Sequence, residues 1–328
     1  MRTIVKTIVL SATLCLILGR FAGAQTTVVG YSSVTSVFLP FWIGKEMGFY
    51  KKEGLDVQLV YIPSSTTMAQ SMFAREVAIS TANSSSVVSS GLQGGDLVLM
   101  GAVINTTAFY ILARPEIAGV QDLKGKRVGV TRLGSSSDFA VREYLQKNKL
   151  QPGRDVTVIQ SGGMPELAAA LSSGAISAAP LSSPMSYVAE QRGNRVLANL
   201  ANEGIYFVIA GLTTSRRYLK ENRRDAKAFL RAFGRATHAM FQQRDAAKTI
   251  LAKYTKVEDP GMLEGSLKYA QDFTEKIPLV RREGVQVVLE QESVKNPKAK
   301  DLAAEQFYDN SLVQELISEG FYNSLWGK

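Results

Sequence analysis

Residues 42–60 constrain the fold of this chain more than any other segment, and they read WIGKEMGFYKKEGLDVQLV. Phe41, Trp42 and Met47 recur at roughly helical spacing, which predicts a helix. Gly48 follows at a point where a left-handed cap costs glycine least. Beyond the next glycine, apolar and polar residues alternate, which predicts a strand. The segment therefore predicts one helix–turn–strand unit of an α/β protein.

Similar units repeat along the chain. The apolar patterns predict strands at 28–31, 55–61, 77–80, 97–103, 108–113, 127–130, 156–160, 175–179, 195–197 and 206–212. Helices are predicted at 39–47, 63–75, from 82 onward, and at 136–147, 165–173, 184–192 and 225–241. This alternation predicts an α/β fold with mostly parallel sheets and helices on both faces.

The N-terminus has the pattern of an export signal. A basic start leads into an apolar run at 8–18, and the small residues at 22–24 form a cleavage site. We expect residues 1–24 to be a signal peptide and the mature protein to be periplasmic. An uncleaved anchor is an alternative, but the run falls short of the ~20 residues that a membrane span needs. A lipoprotein would use Cys15, although Leu14 stands where a small residue is expected.

Composition excludes several kinds of chemistry. The chain's one cysteine, Cys15, leaves with the predicted signal, so the mature chain has no disulfide or thiolate site. The one histidine, His238, is predicted to be exposed on the helix at 225–241, so the common nucleophile–base pairs are missing. No zinc spacing, dinucleotide fingerprint or P-loop appears. We therefore expect no cofactor, no metal and no enzymatic activity.

The net charge of +9 does not indicate a nucleic-acid partner. The densest basic clusters, Arg216-Arg217 and Arg223-Arg224, lie in a predicted helical region with interspersed acidic residues. This arrangement is more typical of a solvated face than of a nucleic-acid surface. A mild positive field would still attract an anionic ligand.

Short polar turns follow successive predicted strands and open helices. In open sheets of this type, ligands bind at the carboxyl ends of the strands, where helix N-termini offer free N–H groups to anions. Plain helix capping by Ser and Asn is the competing interpretation for each turn. The candidate ligand-binding residues are Ser32, Ser33, Phe38, Ser64, Ser65, Asn83, Ser84, Arg132, Gly134, Ser135, Ser136, Ser137, Gly162, Gly163, Ser182 and Tyr206.

Arg132 and a group of aromatic residues leave specific alternatives open. Arg132 is the one cationic side chain placed in the turns, where it would pair with an anion or point to solvent. Phe38, Trp42 and Tyr206 would form an apolar wall, although core packing is the favoured role for Trp42.

The run GFYKKEGLDV at 48–57 resembles a motif of periplasmic substrate-binding proteins of the sulfonate, taurine, nitrate and thiamine-pyrimidine-precursor group, the NMT1/THI5-like family. Gly129, Val130, Gly134 and Ser135 resemble the family's GVxxGS turn, which holds the polar end of the ligand, although three residues and not two separate the two pairs here. Asp138 departs from the polar ring residue common in the family. The resemblance implies a two-lobed type II periplasmic binding protein fold, with a ligand cleft between the lobes.

The resemblance also implies a function for the protein and a division of the chain into two lobes. The protein would be a monomeric solute-binding component of an ABC importer, would close over a small organic anion such as a sulfonate or carboxylate, and would dock on an inner-membrane permease. One lobe would comprise 25–113 plus 208–328 and the other 114–207. The crossings between the lobes would lie near 113–116 and 206–210.

Three alternatives remain beside this function. The ligand could be a neutral or pyrimidine-like heterocycle, because the turns carry almost no charge. The partner could be a sensor instead of a transporter. Pyrimidine-precursor synthases share the fold, but they need histidine and cysteine residues that this chain lacks.

Overall fold

The computed structural model describes residues 26–327, so the predicted signal peptide lies outside the described residues. The strands are β1 (Thr27–Tyr31), β2 (Val57–Tyr61), β3 (Ile79–Ser80), β4 (Leu97–Thr106), β5 (Tyr110–Ala113), β6 (Arg127–Val130), β7 (Thr157–Gln160), β8 (Ala178–Leu181), β9 (Arg195–Asn199) and β10 (Tyr206–Ser215).

The helices of the first two-thirds of the chain are α1 (Leu39–Glu46), α2 (Phe49–Lys52), α3 (Ser65–Phe73), α4 (Ser84–Leu92), α5 (Ser136–Lys147), α6 (Met164–Ser172) and α7 (Met185–Gln191). The remaining helices are α8 (Arg216–Glu221), α9 (Arg223–Gln242), α10 (Arg244–Thr255), α11 (Pro260–Phe273), α12 (Glu283–Lys295), α13 (Ser311–Ser318) and α14 (Phe321–Trp326).

The strands form two sheets of the same design. Their orders are β2-β1-β3-β10-β4 and β7-β6-β8-β5-β9. In each sheet three strands run parallel, and the fourth is antiparallel to both of its neighbours. The predicted α/β fold is confirmed, and each sheet is mixed because its fourth strand is reached by a crossing from the other sheet. We call the part built on the first sheet the first unit and the part built on the second sheet the second unit.

The first crossing lies earlier than the sequence suggested. The chain leaves the first sheet after Thr106 and enters the second at Tyr110, instead of crossing near 113–116. Strand β5 pairs with β8 and β9, and so belongs to the second sheet. The apolar pattern at 108–113 predicts a strand but does not say which sheet the strand joins. The return crossing occupies 200–205, just before the predicted 206–210.

The helix–turn–strand unit of the opening motif is present. Gly48 adopts the predicted left-handed conformation, with φ of 71°. The predicted turn contains a further short helix, α2, before β2 begins. Trp42 is fully buried and stacks on Tyr254, with ring centroids 4.7 Å apart, so it belongs to the core.

The C-terminal part of the chain completes the first unit. The predicted apolar stripe of α9 is buried, and Phe233 packs edge-on against Phe41 at 5.2 Å. The exposed edge of β4 is covered by the segment after α11: the Glu275 N–H donates to the Val103 carbonyl at 2.9 Å, and the Ala102 N–H donates to the Pro278 carbonyl at 2.9 Å. Covering an edge strand removes a template for association with other chains.

Within residues 26–327, no helix is long and apolar enough to cross a membrane.

Candidate functional site

A cavity lies between the two units, where turns at the carboxyl ends of strands from both sheets converge. Its empty volume is about 490 Å³, part of which is open to solvent. The lining residues are Ser32, Ser33, Thr35, Val37, Phe38, Ser64, Ser65, Ile104, Ala108, Phe109, Thr131, Ser135, Ser136, Ser137, Met164, Ser182, Ile209 and Ala210. The lining therefore combines hydroxyl groups with apolar side chains.

The structure brings together nine of the sixteen predicted site residues. Those that line the cavity are Ser32, Ser33, Phe38, Ser64, Ser65, Ser135, Ser136, Ser137 and Ser182. Asn83 lies behind the lining, and its amide contacts Ser65 and Ser136. The predicted residues outside the lining are Ser84, Arg132, Gly134, Gly162, Gly163 and Tyr206.

Direct hydrogen bonds join the units on two sides of the cavity. On one side the Ser183 carbonyl of the second unit accepts the Ser36 N–H at 2.9 Å and the Thr35 hydroxyl at 2.8 Å. On the other side the Asn83 amide donates to the Ser136 hydroxyl at 2.9 Å. The two units are therefore closed against each other around the cavity.

Helix capping accounts for part of the polar turns, as the competing interpretation predicted. Ser64, Asn83 and Ser135 are the N-caps of α3, α4 and α5, and each accepts a backbone N–H of the first turn through its side chain. Ser64 and Ser135 also line the cavity. The N-termini of α3 and α5, one from each unit, therefore face the same space, and their partial positive charges favour a negative group there.

Ser64 has an unusual backbone conformation at the cavity. Its φ is 71° and its ψ is 149°, a combination that is essentially restricted to glycine. Such a conformation costs about 1–3 kcal/mol and persists only where the surrounding structure holds it. Strained residues of this kind cluster at ligand sites, and this one belongs to the cavity wall.

The hydroxyls of the turn after β6 are occupied by one another. Thr131, Ser135 and Ser137 form a triangle, with oxygen–oxygen distances of 2.9–3.0 Å. The Ser137 oxygen also accepts the Thr131 N–H at 2.9 Å. These three groups can satisfy their hydrogen-bonding capacity without a ligand.

Other hydroxyls at the cavity have capacity to spare. The oxygens of Ser33, in the first unit, and Ser182, in the second, are buried and have no hydrogen-bond partner among the described residues. Ser32 accepts the Thr81 hydroxyl at 3.0 Å, which leaves the Ser32 hydrogen available. Buried polar groups are nearly always hydrogen-bonded, so an unpartnered hydroxyl at a cavity indicates a place for a bound molecule.

Apolar side chains complete the wall. Phe38, Phe109 and Met164 line the cavity together with Ile104 and Ile209. Ile104 lies on β4 and Ile209 on β10, the strands that flank the two crossings, while Phe109 lies in the first crossing itself. The cavity wall therefore includes residues of the segments that connect the two sheets.

No charged side chain lines the cavity among residues 26–327. Arg132, the predicted cationic candidate, is exposed and absent from the lining. Asp138 is buried, pairs with Arg142 at 2.7 Å and accepts the Gly134 N–H at 2.8 Å. No cluster that could hold a metal ion occurs in this part of the chain.

The remaining predicted site residues, Gly162, Gly163 and Tyr206, lie outside the cavity lining. A Cβ atom at Gly163 would lie 2.8 Å from the Tyr61 hydroxyl, so glycine there permits close approach of the two units. Burial raises the pKa of Tyr61, and the nearby Glu166 carboxylate raises it further. Gly162 has a φ of 102° that glycine tolerates. Tyr206 is 54% exposed and faces an outer groove.

His238 is half-buried and not exposed as the sequence suggested. Its ring packs edge-on against Trp326 with centroids 5.0 Å apart, and it is absent from the cavity lining.

Sequence reasoning missed half of the lining. The unpredicted residues are Thr35, Val37, Ile104, Ala108, Phe109, Thr131, Met164, Ile209 and Ala210. Thr131 and Met164 directly adjoin the predicted polar turns, and that proximity was an available signal. Ile104 on β4 and Ile209 and Ala210 on β10 have no neighbouring sequence feature that marks them as cavity residues. They reach the cavity because the chain crosses between the sheets next to them.

The fold is that of periplasmic binding proteins. The alkanesulfonate-binding protein SsuA from Xanthomonas axonopodis pv. citri, bound to MOPS, superposes with a TM-score of 0.70 at 20% identity, over 90% of this chain and 98% of that chain. The periplasmic nitrate-binding protein NrtA from Synechocystis PCC 6803 gives a TM-score of 0.77 at 15% identity, over 90% and 89%. At sequence identities this low, the structural similarity shows a shared fold and no more.

Sequence comparison gives the family. The family model described as NMT1/THI5 like matches residues 35–247, which is more than half of the chain. The chain therefore belongs to the NMT1/THI5-like family, as its opening motif predicted. YtlA of Bacillus subtilis, whose name classes it as a binding protein, is 24% identical over 251 residues, which is 74% of this chain and 75% of YtlA.

Proposed function

We propose that this protein is the solute-binding component of an ABC importer and that it holds a small organic anion, such as a sulfonate or carboxylate, in the cavity between its two units. The observation that carries the proposal is the lining itself. Unpartnered hydroxyls and two helix N-termini line the same cavity as several apolar side chains. Binding proteins of ABC-type transport systems have the same fold, which supports the importer role.

The electrostatics favour a single negative charge. Each helix N-terminus acts as roughly half a positive charge, so α3 and α5 together offset about one unit of negative charge. The lining has no carboxylate to attract a cation, and the unpartnered hydroxyls of Ser33 and Ser182 can each donate a hydrogen bond. A monoanion with an apolar body therefore suits the cavity better than a cation or a dianion does.

One observation favours a second ligand class. Because Arg132 is exposed and no other cationic side chain lines the cavity, a neutral heterocycle would meet no uncompensated charge there. A pyrimidine-like ligand is therefore the alternative. Binding without chemical change is part of the proposal, and a sensor in place of a permease remains the alternative partner.

Release of the bound solute tests the proposal. Protein purified without unfolding should yield, on denaturation, a solute that mass spectrometry identifies as a monoanion. A thermal-shift screen should show that methanesulfonate, nitrate or benzoate raises the melting temperature and that benzamidinium does not. Stabilisation by uracil alone would favour the heterocycle. Stabilisation by cations alone would contradict both.

Motion of the units about the crossings is the proposed mode of binding. We place the two lobes on the two sheets, with hinges at 107–109 and 200–205. The Thr107 hydroxyl, which donates to the Leu200 carbonyl at 3.0 Å, ties the two crossings together. Small-angle scattering should show a smaller radius of gyration at saturating solute, and an unchanged radius would count against closure.

We also propose export to the periplasm as a monomer that docks on an inner-membrane permease. The predicted signal at 1–24 and the periplasmic proteins of the same fold support this location. N-terminal sequencing of the exported protein should begin at Gln25. Recovery of the intact Met1 terminus would contradict cleavage.

A further inference from the structure

The orientation of the Asn83 side chain is fixed by its role as a helix cap. The Ser86 backbone N–H, in the first turn of α4, donates to Asn83 Oδ1 at 2.8 Å. If the amide were reversed, two donors would face each other, and the cap would be lost. The Nδ2 group of Asn83 must therefore point the other way, toward the cavity wall.

Nδ2 has two hydrogens, and both find acceptors. One is donated to Ser65 Oγ at 3.1 Å, and the other to Ser136 Oγ at 2.9 Å. Asn83 is fully buried, so no solvent competes for these hydrogens. The two acceptors lie at the N-termini of α3 and α5, one in each unit.

These bonds leave the Ser65 hydroxyl with only its hydrogen available for a further hydrogen bond. Its oxygen also accepts the Ser136 backbone N–H at 3.3 Å, which occupies the second lone pair. A serine hydroxyl has two acceptor lone pairs and one hydrogen. Ser65 lines the cavity, and its hydrogen has no acceptor among the described residues. Ser136, in contrast, donates its own hydroxyl hydrogen to the Ile209 carbonyl at 2.8 Å.

We propose that Asn83 is a positioning residue that makes Ser65 an obligate hydrogen-bond donor to the bound solute. The solute must then present an unprotonated oxygen or nitrogen at Ser65, and a group that can only donate is rejected. This inference rests on the proposed function of the cavity. Because Ser136 belongs to the second unit, the restriction on Ser65 is complete only when the two units are closed.

A neutron diffraction structure of the wild-type protein tests the hydrogen arrangement without any ligand. We expect both Nδ2 hydrogens of Asn83 on Ser65 and Ser136, and the Ser65 hydrogen directed into the cavity. A reversed amide, or a Ser65 hydrogen directed at Asn83, would overturn the inference even if the cavity does bind a solute.

Three probes of nearly identical shape test the consequence. Benzoate offers only acceptors, benzamide offers both kinds of group, and benzamidinium offers only donors. In calorimetric titration of the wild-type protein we expect benzoate and benzamide to bind and benzamidinium not to bind. Failure of all three would count against the proposed function, and the neutron structure would still decide the role of Asn83.

Substitution of Asn83 should change the relative affinities of the protein for the three probes. In Asn83→Asp the helix cap is kept, but the second carboxylate oxygen accepts from Ser65 and turns its hydrogen away from the cavity. We expect the affinity for benzoate to fall at least about tenfold and the affinity for benzamidinium to rise. The reason is that a hydrogen bond from Ser65 to the charged carboxylate is stronger than one between neutral groups. The uncharged variant Asn83→Ser keeps a cap and should lower benzoate affinity about fivefold.

Ser84→Ala is the matched control. The Ser84 hydroxyl is buried and unpartnered beside Asn83, but it is absent from the cavity lining. This variant should keep the wild-type preference for benzoate over benzamidinium. An unchanged preference in both Asn83 variants would overturn the inference.

Discussion

The two units place serine-rich turns on the same cavity, but the turns differ in what their hydroxyls do. In the second unit, Ser135 and Ser137 bond to each other and to Thr131. In the first unit, within residues 26–327, the Ser33 oxygen is buried without a partner, and the Ser65 hydrogen has no acceptor. The hydroxyls of the turn after β6 therefore bond within the fold, and we propose that the hydroxyls of Ser33 and Ser65 serve recognition of the solute. The hydrogen-bond partners, and not the residue type, distinguish the two roles.

The largest expected effect comes from placing a charge among the free hydroxyls. Ser33→Asp should weaken binding of a monoanion by about 2 kcal/mol or more, roughly thirtyfold, because two negative charges would meet in a partly desolvated space. The substitution breaks no existing hydrogen bond, since the Ser33 side chain has no partner among the described residues. Calorimetric titration with the solute recovered from the protein is the measurement.

Ser33→Asn is the control for this change, because it has the same shape without the charge. Equal affinities for the Asp and Asn variants would mean that the bound molecule is neutral or lies away from Ser33.

A substitution in the Thr131–Ser135–Ser137 triangle should change stability and not solute affinity. Ser135→Ala removes the cap of α5 and should lower the free energy of unfolding by about 1 kcal/mol. For a chain of this size that corresponds to a fall of about 1–2 °C in melting temperature. Solute affinity should stay near the wild-type value, because the triangle does not need the ligand.

Ser33→Ala removes the same atom from the other turn and should leave the melting temperature unchanged. The comparison between the turns would fail if Ser135→Ala lost affinity but not stability.

The smallest expected effect concerns the free hydroxyl of the second unit. Ser182→Ala should reduce solute affinity about fivefold, the effect of one net hydrogen bond. Ser186→Ala is its matched control, since that hydroxyl is also buried and unpartnered but is absent from the cavity lining. If both variants bound solute equally well, Ser182 would have no part in recognition.

Much of the fold could be predicted from local patterns. Strand β6 and helix α5 have the predicted bounds, and Gly48 has the predicted backbone conformation. Periodicity and glycine chemistry are local properties, and for that reason the sequence reveals them. The sheet to which β5 belongs is not local, since it depends on pairing with β8 and β9, and the predicted crossing was displaced for that reason.

The candidate site was predictable to the extent that it lies in turns. Ser33 and Ser182 follow predicted strands, and both line the cavity. The exposed position of Arg132 and the place of Ile209 on the wall depend on how the two units pack, which no spacing in the sequence encodes. The distinction between occupied and free hydroxyls needs distances, so residue type alone could not supply it.

The most direct test of the central claim is a crystal structure of the protein with its recovered solute. We predict that the solute lies between the units with its acceptor end within hydrogen-bond distance of Ser33, Ser65 and Ser182, and with its apolar body against Phe38 and Phe109. The Thr131–Ser135–Ser137 triangle should remain intact in that structure. Solute bound outside the cavity, or a triangle opened to hold it, would contradict the account.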